Sequence, residues 1–311
     1  MTRSSLPRAA AVMLALAPGL AGAEGLVGLD LDEPSGASGD RTRITIGYQT
    51  AHSDGNVDSD GKPLPGVKTD TRTLLLAIDH RFADKWSVHV SLPYVVKRSV
   101  GDPGVHDTRF LAVPRESDFI DDGDYHGAWQ DWQVGVTYHG AWKGLAVRPH
   151  AVLTWPSHDY VYFASAAPGR YLRRLRLGAD VSRRFGRSNV HWSAGYSYEF
   201  VAEVLGRNLD KHHYRLSAHW DVSPTWSLNA FGNARYSNGL DPSELAGKVP
   251  WSELWYQHDR MLKQNYALAG VGATWHFRDR WALSASTAWP VRAEGMHRVR
   301  QAWDLQVSRS F

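Results

Sequence analysis

From Val299 to Phe311 the chain reads VRQAWDLQVSRSF, and its character changes at every second residue. Phe311, Arg309, Val307, Leu305, Trp303, Gln301 and Val299 form one set, mainly apolar and aromatic. Ser310, Ser308, Gln306, Asp304, Ala302 and Arg300 form the other, polar or small. Side chains on a strand alternate between its two faces, so this segment predicts a strand lying between two different media. A helix would scatter both sets around its axis.

The same alternation returns along the chain. Ile44, Ile46 and Tyr48 alternate with Thr45, Gly47 and Gln49, and Leu74, Leu76, Ile78 and Phe82 oppose Thr73, Ala77, Asp79 and Arg81. Trp86, Val88, Val90, Leu92 and Tyr94 oppose Ser87, His89 and Ser91, and Trp132, Val134, Val136 and Tyr138 oppose Asp131, Gln133, Gly135, Thr137 and His139. Further runs follow around Arg148–Thr154, Arg174–Ser182, His191–Phe200, His213–Asp221, Trp226–Ala230, Ala267–Phe277 and Trp281–Val291. Tight turns (Ala83-Asp84-Lys85, Trp142-Lys143-Gly144, Gly186-Arg187-Ser188, Ser223-Pro224, Arg278-Asp279-Arg280) alternate with long connections at 53–68, 98–127, 156–168, about 203–210 and 238–263. The reading is all-β: a single antiparallel transmembrane β-barrel of about twelve strands, with short periplasmic turns and long extracellular loops. Trp86, Trp226 and Trp281 each open a strand after a tight turn, where an aromatic girdle belongs. A soluble β-sandwich is the competing fold, but its solvent faces rarely carry repeated Trp and Tyr.

Composition narrows the alternatives. Fourteen Trp and 13 Tyr accompany a negative mean hydropathy of −0.40. No run of 18 apolar residues follows the amino terminus, which excludes a helical membrane protein. Arg3 and Arg8, the apolar run from Ala9 to Leu20, and Ala21-Gly22-Ala23 form a three-part export signal. Residues 1–23 are therefore expected to be a signal peptide, 24–40 a periplasmic extension or loose plug, and 41–311 the barrel. There is no Cys, which removes disulfides, thiolate metal sites and Cys nucleophiles. A formal charge of +3 with no basic cluster gives no nucleic-acid surface.

The polar face supplies the candidate functional residues. Asp79, Arg81, His89, His139, Arg148, His150, Arg174, Arg176, Asp180, His191, Glu199, His213, Arg215, His219, Asp221, Arg235 and His276 all alternate with the apolar stripes. Charges facing lipid are costly, so these are candidates to line a lumen. They would either form a polar path for small solutes or pair across a narrow interior and close it. Asn56-Val57-Asp58-Ser59-Asp60-Gly61 has the alternating oxygen side chains of a calcium-loop start, making Asn56, Asp58 and Asp60 candidate ligands. Its first residue is Asn rather than Asp, and Val67 stands where a bidentate Glu is needed. A solvated turn is the competing reading, and neither metal nor other cofactor is assigned. Asp118, Asp121, Asp122 and Asp124 cluster in the long loop after Arg98.

Resemblances to known families add to this reading. The closing strand with its final Phe311 resembles the terminal strand of Gram-negative outer-membrane barrels, which implies recognition by the barrel assembly machinery and an outer-membrane lipid environment. Arg235-Tyr236-Ser237-Asn238-Gly239 resembles the His-x-Ser-Asn-Gly stretch of outer-membrane phospholipase A, but Arg235 occupies the place of the general base. A Ser without a base is not an activated nucleophile, so no catalytic residue is assigned. Ser91-Leu92-Pro93-Tyr94, followed by a long loop and then Asp131, Gly135 and Tyr138, resembles the family of outer-membrane proteins of the phenol meta-degradation pathway. Gly127 is one residue out of that family's spacing. The resemblance implies uptake of small aromatic or apolar solutes. Three functions therefore stand: a passive channel for small solutes, a non-conducting surface barrel binding ions, ligands or a partner through its loops, and a lipid-modifying enzyme.

Overall fold

A computed structural model describes residues 41–58, 60–100, 120–186, 188–241, 244, 252–294 and 297–311. The expected signal peptide, the extension 24–40 and Asp118 lie outside the described residues. The strand segments are β1 (Thr42–Val57), β2 (Pro63–Ala83), β3 (Trp86–Val100), β4 (Tyr125–Trp129), β5 (Trp132–Tyr138), β6 (Gly140–Trp142), β7 (Leu145–Trp155), β8 (Arg174–Arg184), β9 (Val190–Val201), β10 (Lys211–Asp221), β11 (Trp226–Ser237), β12 (Asn265–Arg278), β13 (Trp281–Glu294) and β14 (His297–Ser310). One helix, α1 (Glu253–Met261), precedes β12. β4 and β5 both pair with β3, and β6 pairs with β7, so these three pieces are one stave. The result is a closed, antiparallel, 12-strand barrel.

Closure comes from β1, which pairs with β2 on one side and with β14 on the other, from Arg43↔Ser310 upward. Phe311 N donates to Thr42 O at 2.8 Å, and Arg41 N returns a bond to Phe311 O at 2.9 Å. This pairing joins the two ends of the sheet, where unmet backbone donors facing lipid would each cost several kcal/mol.

Burial runs opposite to that of a soluble protein. Gln49, Thr73 and Ser99 are fully buried, while Leu216 and Val291 are 62% and 68% exposed. The apolar residues of each alternation face lipid, and the polar ones face inward. Aromatics sit at both rims. Near the short turns Trp86 packs on Tyr138 (5.1 Å between ring centres) and Trp226 on Trp275 (5.9 Å). Near the loops Tyr94 meets Trp129 (5.4 Å) and Tyr198 meets Phe200 (4.8 Å). These are the two interfacial belts of a barrel.

The structure departs from simple alternation in four places. The expected loop 53–68 is mostly strand: β1 and β2 continue outward and turn only at Asp58–Lys62, where Asp58 Oδ1 accepts from Asp60 N (2.9 Å) and Lys62 N (2.7 Å). The loop expected to run to Gly127 ends earlier, because Tyr125–Trp129 pairs with β3. Between Tyr94↔Trp129 and Ser91↔Gln133, Gln130, Asp131 and Trp132 oppose only Leu92 and Pro93. This bulge turns both Gln130 and Asp131 inward, at 8% and 2% exposure. Val299, placed by periodicity on the lipid face, is instead 3% exposed. A register shift between His52↔Gln301 and Ser53↔Val299 moves it to the inside.

One seam is incomplete. β13 and β14 pair from Trp281↔Arg309 to Ala288↔Ala302, and among the described residues no ladder pair links them beyond, although both strands continue. Among the described residues above that point β13 pairs with β12 alone and β14 with β1 alone. Pro290, which has no N–H to give, and the shift at Val299 both fall there. Behind the seam lies an apolar cluster of Ala51, Val57, Phe231, Tyr266, Leu268, Ala288, Val299 and Ala302.

Leu305 is 48% exposed on the lipid face of β14. Leu305→Arg should cost about 2–4 kcal/mol in denaturant unfolding from lipid bilayers if it lies near the midplane. An unchanged midpoint would contradict the assigned facing of the closing strand.

Candidate functional site

Strand register stacks the inward side chains into rungs. Arg176 on β8 pairs with Glu199 on β9, which pairs with Lys211 on β10 and so to Ser237 on β11. The next rung runs His150, Gly178, Ser197, His213, Arg235, Tyr266, and the one below it Arg148, Asp180, Gly195, Arg215, Asn233. Arg148, Arg174, Arg176, Lys211, Arg215 and Arg235 thus crowd one wall, where they outnumber Asp131, Asp180 and Glu199. The facing wall of β1, β2, β13 and β14 presents Gln49, Thr73, Ser284, Ser286 and, as its buried carboxylate, Asp304.

Most of the charges on the cationic wall are paired. Arg174 Nη2 lies 3.2 Å from Asp131 Oδ2 and Nη1 4.0 Å from Glu199. Glu199 also meets Lys211 (3.4 Å) and His213 (3.7 Å). Arg215 Nη2 donates to Asp180 at 2.7 Å, and His150 lies 3.2 Å from the same carboxylate. Arg148 reaches Ser182 at 3.5 Å. Arg235 is held by Gln264 and lies over the Tyr266 ring at 4.7 Å. Nearer the periplasmic end His89 binds Asp79 (2.6 Å), Ser87 binds His139 (2.8 Å), and His191 and His219 share Asp221 at 3.3 and 3.4 Å. Arg81 and His276 occupy inward positions there as well. Buried ion pairs of this kind fix geometry more than they add net stability.

Glycine makes one of these pairs possible. Asp180 is on β8 and Arg215 on β10, two strands apart, with Gly195 of β9 between them in register. A methyl at 195 would collide with Asp180 Oδ1. The absent side chain lets the carboxylate lie across β9 and reach the guanidinium.

The mouth is filled by loops. The connection from β7 to β8, expected as an extracellular loop, folds inward: Phe163, Ala166, Ala167 and Leu172 are 2%, 2%, 4% and 2% exposed. Lys97 Nζ on β3 donates to Ala167 O at 2.6 Å, and Asp121 accepts from Ser165 N (2.9 Å) and Ala166 N (2.8 Å). Helix α1 packs on it from the β11–β12 connection. Ser252 caps that helix, accepting from Trp255 N at 3.2 Å. Tyr256 contacts Tyr162 and Phe163 at 5.5 and 5.1 Å. Arg260 donates to Arg170 O and Tyr171 O and lies 4.5 Å over the Tyr162 ring. Tyr160 joins the loop to the ion pairs below, its hydroxyl 2.5 Å from Asp131 Oδ1.

Sequence reasoning missed Lys97, Lys211 and the whole inward loop, and it placed Asp131 on the polar face without singling it out as a candidate. Lys97 continues the Ser87–Ser91 parity beyond Tyr94, the last residue assigned to its strand, and Lys211 precedes the expected start of its strand. Both were readable by extending the alternation. The inward fold of 156–173 carries no period and gave no such signal. Among the loop acids, Asp121 anchors the plug, while Asp122 binds His126 at 2.8 Å, a bond that holds its carboxyl below the usual range. Asp60 lies 3.9 Å from Lys62, and among the described residues no metal-ligand cluster forms. Ser237 Oγ accepts from Gln264 N at 2.7 Å and is 7% exposed on the inner face.

No protein-family profile and no curated protein matches the chain. It is similar to the crystal structure of the COG4313 outer membrane channel from Pseudomonas putida F1, 13% identical over 88% of this chain and 96% of that one, with a TM-score of 0.66. It is also similar to the transport unit of the autotransporter AIDA-I from Escherichia coli, 10% identical over 93% of this chain and 95% of that one, with a TM-score of 0.51. The shared feature is the barrel fold.

Gly195→Ala should push Asp180 off Arg215 and destabilise the barrel by about 1–3 kcal/mol, the cost of stranding a buried polar group. The check is unfolding in detergent, with Gly186→Ala as a control, since nothing lies within 4 Å of a methyl there although its positive φ adds some local strain. Equal effects for the two would refute the spanning role of Gly195.

Proposed function

We propose that this protein is a channel in the outer membrane of a Gram-negative bacterium, reached by signal-peptide export, that passes small solutes passively. The observation carrying this reading is the paired, charged interior beneath a mouth closed only by loops. A barrel built solely as a rigid platform has no need of an inward loop tied by Lys97 and Asp121. Tyr160, Tyr162, Phe163, Tyr171 and Tyr256 gather at that mouth, which supports aromatic solutes. The resemblance of Ser91–Tyr94 and Asp131–Tyr138 to the phenol meta-pathway family points the same way, as does the fold likeness to a solved outer membrane channel. In the phospholipase-like stretch Arg235 occupies the place of the general base, which argues against the enzymatic reading.

The test is single-channel conductance of the purified chain in planar bilayers, beside Asp121→Ala. The wild type should show small discrete openings. The variant, having lost the carboxylate that holds Ser165 and Ala166, should conduct several-fold more. A folded barrel silent in both forms would shift the function to loop-mediated binding.

The unpaired upper seam of β13 and β14 favours a second route, by which apolar solutes pass sideways between the barrel interior and the outer leaflet. Stapling it with Trp289→Cys and Gln301→Cys should block uptake of apolar solutes into cells and leave ionic conductance unchanged. Uptake that survives oxidation of the staple excludes the lateral route.

A further inference from the structure

Arg176 differs from the other cations of the wall. Arg174 pairs with Asp131, Lys211 with Glu199, and Arg215 with Asp180, while Arg235 is held between Gln264 and Tyr266. Arg176 shares their face and lies next to Glu199 in register, yet among the described residues it has no hydrogen bond and no ion pair. Its surroundings are Glu199, Arg215, Arg174 and Tyr266. Arg176 is only half-buried, so its guanidinium is open to the interior, and its planar fork of donors matches a carboxylate. The cations of this wall outnumber its carboxylates, and Glu199 and Asp180 are each already shared among several of them, so the group that Arg176 lacks is an anion from outside the chain.

The apolar part of the ligand follows from the neighbours. Tyr266 is buried beside Arg235 one rung away. Tyr160, itself packed on Tyr171 at 5.3 Å, connects through Asp131 to Arg174, two residues before Arg176 on β8. Aromatic surface therefore lies both at the mouth and beside the cation.

We propose that Arg176 is the binding point inside the barrel for the carboxylate of a small aromatic monoanion, with its ring held against the tyrosines. This rests on the channel reading and narrows it to a solute class. No bond is made or broken; the anion exchanges its hydration for the guanidinium.

The test is calorimetric titration of the full chain in detergent with benzoate, using benzyl alcohol as the uncharged counterpart. Benzoate should bind in preference to benzyl alcohol. Arg176→Gln should weaken benzoate by about tenfold or more, the scale of a lost charge-assisted pair. Arg176→Lys, which keeps the charge and loses the fork, should fall between. Neither variant should lose the heat-modifiable migration of a folded barrel, because Arg176 holds no other side chain in place. Equal binding of benzoate and benzyl alcohol, or a benzoate affinity untouched by Arg176→Gln, overturns the proposal. Arg176-dependent benzoate binding by a barrel that is silent in bilayers would support the site and count against the channel reading instead. In bilayers the reversal potential in a salt gradient should show anion preference in the wild type and lose it in Arg176→Gln.

Discussion

Every backbone donor and acceptor of the membrane-spanning strands needs a partner inside the protein, because lipid offers none. The bond pair between Phe311 and the Arg41–Thr42 backbone is where that demand is finally met. With the sheet closed, the period-two side chains have only two places to go. The outward set becomes a lipid-facing skin of Ile46, Leu74, Leu216 and Trp303, and the inward set becomes an interior of Thr, Ser, Gln and charge. The inward set must then satisfy itself, which explains why rungs of ion pairs, rather than an apolar core, fill the space.

That interior is built by reach as much as by register. Asp180 crosses a whole strand over Gly195 to find Arg215, and Lys97 and Asp121 stretch to the backbone of a loop distant in sequence. Where the alternation breaks, the break serves the interior. The bulge at Gln130–Asp131 turns a carboxylate inward to meet Arg174 and Tyr160, and the shift at Val299 adds an apolar side chain behind the loosened seam.

The barrel was legible because its signal repeats. One strand such as Trp86–Tyr94 proves little, but the same inversion in strand after strand, with Trp opening the strand after three of the five tight turns, admits few folds. Facing was legible for the same reason, and it went astray at Val299, where a register slip of one residue leaves no mark in the sequence. The loops were not legible. Phe163 and Ala166 are buried through contacts with α1, Lys97 and Asp121, all far away along the chain, and no local period announces such a contact. Pairing was equally hidden: Arg174, Arg176 and Arg215 look alike as inward arginines, and only the positions of Asp131, Asp180 and Gly195 separate the engaged from the unengaged.

The two walls of the interior are unlike, one crowded with arginine and lysine, the other made of hydroxyls and amides around Asp304. A polar molecule between them sits in a field directed across the barrel rather than along it, and the field turns its dipole crosswise. In the channel proposed above it would therefore move through in one orientation, and the dimension deciding passage would be its width in that pose rather than its average radius. Two isomers of equal mass and volume, differing only in where the charge sits on the ring, would meet this barrel as molecules of different size.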